Sequence, residues 1–415
     1  MLILHETIDD TQMKSLRELY KIGRGPSSSH TMGPAKAAQI FAARHPQASR
    51  FEVVLYGSLA ATGKGHLTDV AITEALEPVA PATIIWKPDE FKPFHPNGMS
   101  FTAIDGQGNR SDEWTVYSVG GGSLKEENST GNIDSPEVYA MNSMDEILQW
   151  CENYGKSYWE YVNECEDEGF WDYMLEVWKV MKDSVERGIE HEGVLPGPLH
   201  IRRKATSYYV RATGYTQSLK SRGLVYAYAL AVSEENASGG TIVTAPTCGS
   251  SGVIPSVLYY LQKTRNFSDQ RMVRALATAG LFGNIAKQNA SIAGAEVGCQ
   301  GEVGVACAMA AAATCQLFGG TPAQIEYAAE MGLEHHLGMT CDPVCGLVQI
   351  PCIERNAFAA TRALDANIYA TYSDGKHRVS YDNVVAVMKQ TGHDLPNLYK
   401  ETAAGGLAKD FRHKI

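Results

Sequence analysis

Nine cysteines stand in a chain of 415 residues. Three of them, Cys299, Cys341 and Cys352, lie in turn-like surroundings beside Gly298, Pro343 and Pro351. They belong to the stretch 291–356, which opens SIAGAEVGCQGEVG and closes TCDPVCGLVQIPCIERN. Thiolates are soft ligands, suited to zinc or to iron–sulfur centres. Structural zinc sites use two close cysteine pairs. Here Cys299, Cys341, Cys345 and Cys352 are spaced by 42, 4 and 7 positions, with no second pair. One distant ligand plus a local group suits a multi-iron cluster better. If three thiolates hold four irons, one iron stays open and can act as a Lewis acid. The competing expectations are a zinc-stabilised protein and a set of buried, unreactive cysteines. Cys307 and Cys315, inside the alanine-rich run 303–318, are expected to be of the last kind.

A second chemical locus is GRGPSSSHTMGP, residues 23–34. Ser27, Ser28, Ser29, His30 and Thr31 crowd the start of an expected helix with Pro34 in its first turn. Backbone N–H groups, hydroxyls and the helix dipole there favour an anion such as a small carboxylate. The competing reading is an ordinary serine-rich cap. A third locus, GSLAATGKGHLTD at 57–69, is not a phosphate loop. Its glycines are one residue too far apart, and Lys64 is followed by glycine rather than Ser or Thr. It still sets Lys64, His66 and Asp69 beside tight turns.

These loci need elements to hold them. Residues 1–22 read as a short lead-in and a helix, capped by Thr7 or Asp9. Strands are expected at 51–56, 83–86, 100–104 and 115–119, the last running into Gly120, Gly121 and Gly122. With one or two helices, they make a compact α/β domain at 1–126. Residues 127–192 hold Trp150, Trp159, Trp171 and Trp178 in helical patterns that also contain Cys151 and Cys165. This helical segment is expected to connect the two domains. From 193 to 415 the pattern is all-α, so the fold class expected is α+β with two domains. The run 303–318 is too short and too alanine-rich to span a membrane, and reads as a buried helix.

The net charge of -11 argues against nonspecific nucleic-acid binding. The start MLILHETIDD lacks the basic region of a signal peptide. An odd cysteine count without such a signal points to a reducing, cytoplasmic setting.

Six segments, GPSSSHTMGP, GSLAATGKGHLTD, EENASGG, APTCGSSGVIP, NASIAGAEVGCQGEVGVAC and TCDPVCGLVQIPCIERN, occur in an order similar to the iron–sulfur L-serine dehydratases of bacteria. The chain resembles that family over nearly its full length, in the single-chain form. The resemblance implies a [4Fe–4S] cluster on Cys299, Cys341 and Cys352, and no pyridoxal phosphate. It implies an N-terminal domain like the allosteric substrate-binding domain of some phosphoglycerate dehydrogenases, and a cytoplasmic homodimer acting on a small amino acid. The reaction implied is L-serine to pyruvate and ammonium. In that setting His30 is the first choice for the base, with Lys64 and His66 as rivals. Ser27, Ser28, Ser29 and Thr31 would meet Thr247, Cys248, Gly249 and Ser250 on one side and Ala293, Gly294 and Ala295 on the other. Two positions depart from the family: Cys248 replaces a common Asn, and Cys345 a common Gly. The chain closes on FRHKI, without the terminal cysteine that caps the open iron in some members. Rival functions are the same chemistry on L-threonine or L-cysteine, and a nonenzymatic iron–sulfur redox sensor.

Overall fold

The computed structural model describes residues 12–127 and 137–411. The expected caps Thr7 and Asp9, and residues 412–415, lie outside them. Beside a small satellite cluster around Leu195 and Leu230, two hydrophobic cores organise the described residues. The smaller gathers on a five-stranded sheet, in the order Ala82–Lys87, Arg50–Tyr56, Gly98–Ile104, Trp114–Ser118, Leu124–Lys125. The first pair is parallel and the rest antiparallel. Alternation along Arg50–Tyr56 turns Phe51, Val53 and Leu55 inward, where the helix Gly33–Arg44 covers them with Ala37, Ala38 and Phe41. The parallel pair requires a crossover. Helices Gly57–Thr62 and Thr68–Leu76 supply it, and the turn between them carries His66.

The larger core is helical. Its centre is Val305–Leu317, whose alanines are all fully buried. Helices Val253–Arg265, Asp269–Asn289, Pro322–Glu334 and Cys352–Thr371 surround it. Small side chains let these neighbours approach closely: a Cβ on Gly332 would lie 2.8 Å from Ala308 Cα. Cys307 and Cys315 are buried within this central helix. No described helix is long and apolar enough to cross a membrane.

Two stretches differ from expectation. The described part of 1–22 holds strand Met13–Lys14, a single turn at Leu16–Glu18 and the start of strand Ile22–Arg24. Helical propensity yields there to pairing with distant strands, Glu137–Tyr139 and Thr241–Val243. The second of these is a short strand in the region expected to be all-α. The tryptophan-rich helices, Met144–Tyr154, Tyr158–Cys165 and Phe170–Glu190, pack into the larger core, with Trp178 buried beside Met181 and Val185.

Helix Phe170–Glu190 crosses Gln217–Ala237 at Gly188, where an added Cβ would lie 2.3 Å from the Ala231 carbonyl oxygen. Alanine at a helical position ordinarily gains about 1 kcal/mol over glycine. Here it must push two backbones apart, which costs about 3 kcal/mol. Gly188→Ala therefore lowers stability by about 2 kcal/mol, read as a lower urea midpoint at unchanged slope.

A buried ion pair makes stability pH-dependent. Glu326 Oε2 lies 2.7 Å from His377 Nε2, whose ring stacks on Tyr327. Glu326 holds the His377 pKa up at about 9, against an ordinary 6.5. A raised folded-state pKa gives stability that is complete below pH 6.5 and lost as pH rises through 9. Neighbouring Glu330, pushed up to about 7 by burial, acts with the same sign over a lower window. The melting temperature should fall between pH 6.5 and 9, and His377→Gln should lower it at pH 6 and flatten that slope. An unchanged slope in His377→Gln would contradict the assignment.

Candidate active site

Strand pairing anchors two of the chemical loops. Ile22–Arg24 pairs antiparallel with Thr241–Val243, so residues 25–31 and 244–251 leave opposite ends of one two-stranded ribbon. Lys21 and Thr244 seal its end, the Lys21 N–H donating to Thr244 Oγ1 at 2.8 Å and the Thr244 N–H to Lys21 O at 2.9 Å. Asn236 Nδ2 donates to Pro26 O at 2.9 Å, and a Cβ on Gly25 would strike the Asn236 side chain at 2.1 Å. This accounts for EENASGG. Asn236 holds the serine loop, Glu234 accepts from the Lys204 and Ala205 N–H groups, and Glu235 takes Arg187, His191 and Arg203.

The serine loop is a buried turn. Ser27 Oγ accepts from the His30 N–H, and Thr31 Oγ1 accepts from the Ser27 N–H. Two crossed bonds lock it to the second glycine-rich loop: Thr31 Oγ1 donates to His66 O at 2.7 Å, and Thr68 Oγ1 to His30 O at 2.5 Å. The His30 and His66 rings end 4.5 Å apart, both wholly buried. His30 Nε2 meets Ser58 Oγ at 3.2 Å. Among the described residues, His30 Nδ1 and both His66 ring nitrogens have no hydrogen-bond partner. Burial lowers both pKa values, His30 to about 4, so both imidazoles are neutral at pH 7. Ser28 and Ser29 are buried in the same turn. Lys64 is exposed, its Nζ 5.8 Å from the Trp86 ring centre, because the turn that buries His66 directs it outward.

Across a small cavity stand the thiols. Cys299, Cys341 and Cys352 all line it, with Ser27, His66 and Gly249. Cys299 follows Gly298, whose φ of +75° and close approach to Met339 O exclude a side chain. Gln300 staples this turn to the Cys341 segment, donating to Val297 O at 2.8 Å and accepting from the Gly338 N–H at 2.9 Å. Cys352 begins the helix Cys352–Thr371 after Pro351. Asn356, one turn on, donates to both Cys352 O and Gly249 O and accepts from the Gly252 N–H. That ties the Thr247–Ser251 loop to the thiol helix. Thr247 Oγ1 bonds Glu302 Oε1 at 2.8 Å and lies 3.2 Å from Ser250 Oγ. Gly294 leaves room for Glu302 and Cys341, while Ala293 packs at Gly120 and Ala295 is half-buried nearby. Cys248 turns away to Met32 Sδ at 3.4 Å, and Cys345 is exposed at a φ of 58°.

Several residues here escaped the sequence reading. Glu302 and Glu401 both line the cavity. Arg355, next to the thiols, donates to Thr340 O and a hydrogen bond reaches Cys299. His95 Nδ1 accepts from the Asn97 N–H at 3.1 Å, which turns Nε2 to Glu296 Oε1 at 3.2 Å. Asn97 Oδ1 and Ser118 Oγ are buried nearby without partners. Glu302, Arg355 and Asn356 lay inside quoted segments. Glu401 lay in a glycine-rich tail that gave no periodic signal.

Burial raises all three thiol pKa values, Cys299 to about 11. Thiols held neutral in this way ionise when a cation is brought among them. Arg355 offsets part of the resulting charge, since its attraction to Cys299 and Cys352 outweighs the burial that opposes its own charge. Among the described residues no three His, Cys, Asp or Glu side chains surround a single-ion position. The three thiols instead border a shared space, a soft donor set that fits a multinuclear iron–sulfur group.

The sequence profile described as serine dehydratase alpha chain matches residues 58–408, and that of the beta chain matches residues 15–87. The chain belongs to the serine dehydratase family. An L-serine dehydratase of Streptomyces coelicolor is 42% identical, across 95% of this chain and 98% of the relative. L-serine dehydratase TdcG of Escherichia coli is also 42% identical, across 95% and 99%. That of Helicobacter pylori is 37% identical, across 96% and 99%. Both parts of the family are thus fused in this one polypeptide.

Proposed function

We propose that the chain is a cytoplasmic [4Fe–4S] L-serine dehydratase that releases pyruvate and ammonium without pyridoxal phosphate. The observation that carries this reading is the meeting of three thiols with the neutral His66 ring around one cavity, the His30 ring centre lying 4.5 Å from that of His66. Cys299, Cys341 and Cys352 would hold the cluster, with Arg355 offsetting charge. When bound, such a group with one iron free of thiolate supplies Lewis-acid assistance to departure of the 3-hydroxyl.

The remaining work falls to the protein. The α-proton of serine is weakly acidic and needs a placed base. His30 is neutral and directs Nδ1, its unbonded nitrogen, away from Ser58. It would take the proton there. His66, locked to the same turn, would orient the substrate. Burial excludes water until the eneamine product leaves, tautomerises and hydrolyses. The wall formed by Thr247, Gly249 and Gly294 would bound the substrate's side chain. Cys248 is oriented by Met32, outside this wall. The small sheet domain carries both histidines, which supports reading it as a substrate-responsive unit, as the family resemblance implies. Homodimerisation is part of the reading and is supported by exposed Phe358, Ile368 and Tyr369 on helix Cys352–Thr371 and by Tyr372 just after it.

The test is a substrate panel on anaerobically reconstituted protein. L-serine should give the highest kcat/KM for 2-oxo acid release, ahead of L-threonine and L-cysteine. A preference for either rival by tenfold would reassign the substrate and leave the site in place.

A further inference from the structure

We infer that Glu401 receives the α-ammonium group of the substrate, backed by Glu302; this rests on the functional reading above. The C-terminal segment pairs with the thiol wall. The Cys341 N–H donates to Tyr399 O at 2.8 Å, and the Glu401 N–H to Cys341 O at 2.7 Å. That pairing brings the Glu401 side chain into the cavity. Its Oε1 stands 3.7 Å from His30 Nδ1, and among the described residues no lysine or arginine lies within ion-pair distance of it. Glu302, the second carboxylate, is bonded to Thr247 and lies 3.9 Å from Cys341 Sγ. Arg355, the cation of this wall, is committed to Thr340 O and to the thiols.

Two largely enclosed carboxylates share this cavity, and among the described residues neither has a lysine or arginine within ion-pair distance, an arrangement that a cation from outside would complete. A second observation shows that the cavity is built to receive a ligand. His66 lines its other side, and both of its ring nitrogens are wholly buried and without a hydrogen-bond partner among the described residues. An amino acid brings what is missing, a positive ammonium one bond from the α-carbon. An ammonium held at Glu401 brings the α-hydrogen beside His30 Nδ1. The same contact would select amino acids over hydroxy acids that carry the 3-hydroxyl without the ammonium.

The experiment uses reconstituted holoenzyme, wild type and Glu401→Gln, with iron content and visible absorbance recorded for both. Losing a charge-assisted bond should raise KM for L-serine about 10- to 100-fold. Calorimetric binding of 3-hydroxypropanoate, which lacks the ammonium, should change less than about threefold by the same reasoning. Glu401→Asp should recover part of the loss. Wild type needs no variant to fold: L-alanine should bind at least about tenfold tighter than propanoate. An unchanged KM, equal weakening of both ligands, equal binding of L-alanine and propanoate, or loss of iron from Glu401→Gln would each overturn the inference. The last result would make Glu401 an iron ligand. A wild type that never consumes L-serine overturns the functional reading instead.

Discussion

Cys352→Ala should leave the protein folded, strip most of the iron taken up on reconstitution and lower pyruvate release to roughly the uncatalysed background, because the proposed Lewis-acid group would be lost. The thiol stands at the start of the 20-residue helix Cys352–Thr371, where the helix dipole favours the thiolate. It also shares its cavity with Cys299 and Cys341, so the loss removes one of three donors. Cys345→Ala is the internal comparison. Cys345 is exposed and outside that cavity, and its replacement should keep both iron and activity. Iron analysis, visible absorbance and the melting temperature of the metal-free proteins separate a lost ligand from a lost fold. Full iron in Cys352→Ala would remove this cysteine from the cluster.

His30→Ala should retain iron and lower kcat by about 10²- to 10⁴-fold, the usual contribution of a positioned proton acceptor. The ring touches Ser58 and faces Glu401, and among the described residues no hydrogen bond joins it to a thiol. Its loss should therefore leave the absorbance of the iron centre in place. The pH profile provides a second reading. A base works in its unprotonated form, and burial holds the His30 pKa at about 4. Activity should consequently show no acid limb from this group between pH 6 and 8, and should fall only as pH approaches 4. Full turnover by an iron-replete His30→Ala enzyme would exclude the ring from catalysis.

Much of the fold was legible because its signals are local. Phe51, Val53 and Leu55 alternate, and the alanine run at 303–318 has the composition of a central helix with close neighbours. Strands Met13–Lys14 and Ile22–Arg24 were not legible, since each is made by a partner more than 100 positions away. The site divides in the same way. The three cysteines and the serine–histidine loop were marked by residue types gathered in short segments. Glu401 enters through a two-bond pairing with Cys341, which leaves no periodic trace. His95 depends on a tautomer set by the Asn97 N–H, a matter of backbone geometry. Lys64 looked equal to His66 in sequence, and the turn between two helices separates them by burying one and exposing the other.

Serine is proposed to be dehydrated at an iron–sulfur centre held by Cys299, Cys341 and Cys352. The most direct measurement is pyruvate release from L-serine by protein reconstituted anaerobically with iron and sulfide, beside an aliquot exposed to air. About four irons per chain, steady pyruvate release and its loss in air together with the visible absorbance are the predicted result. Pyruvate release by iron-free protein, or a four-iron protein that leaves L-serine unchanged, would contradict the account.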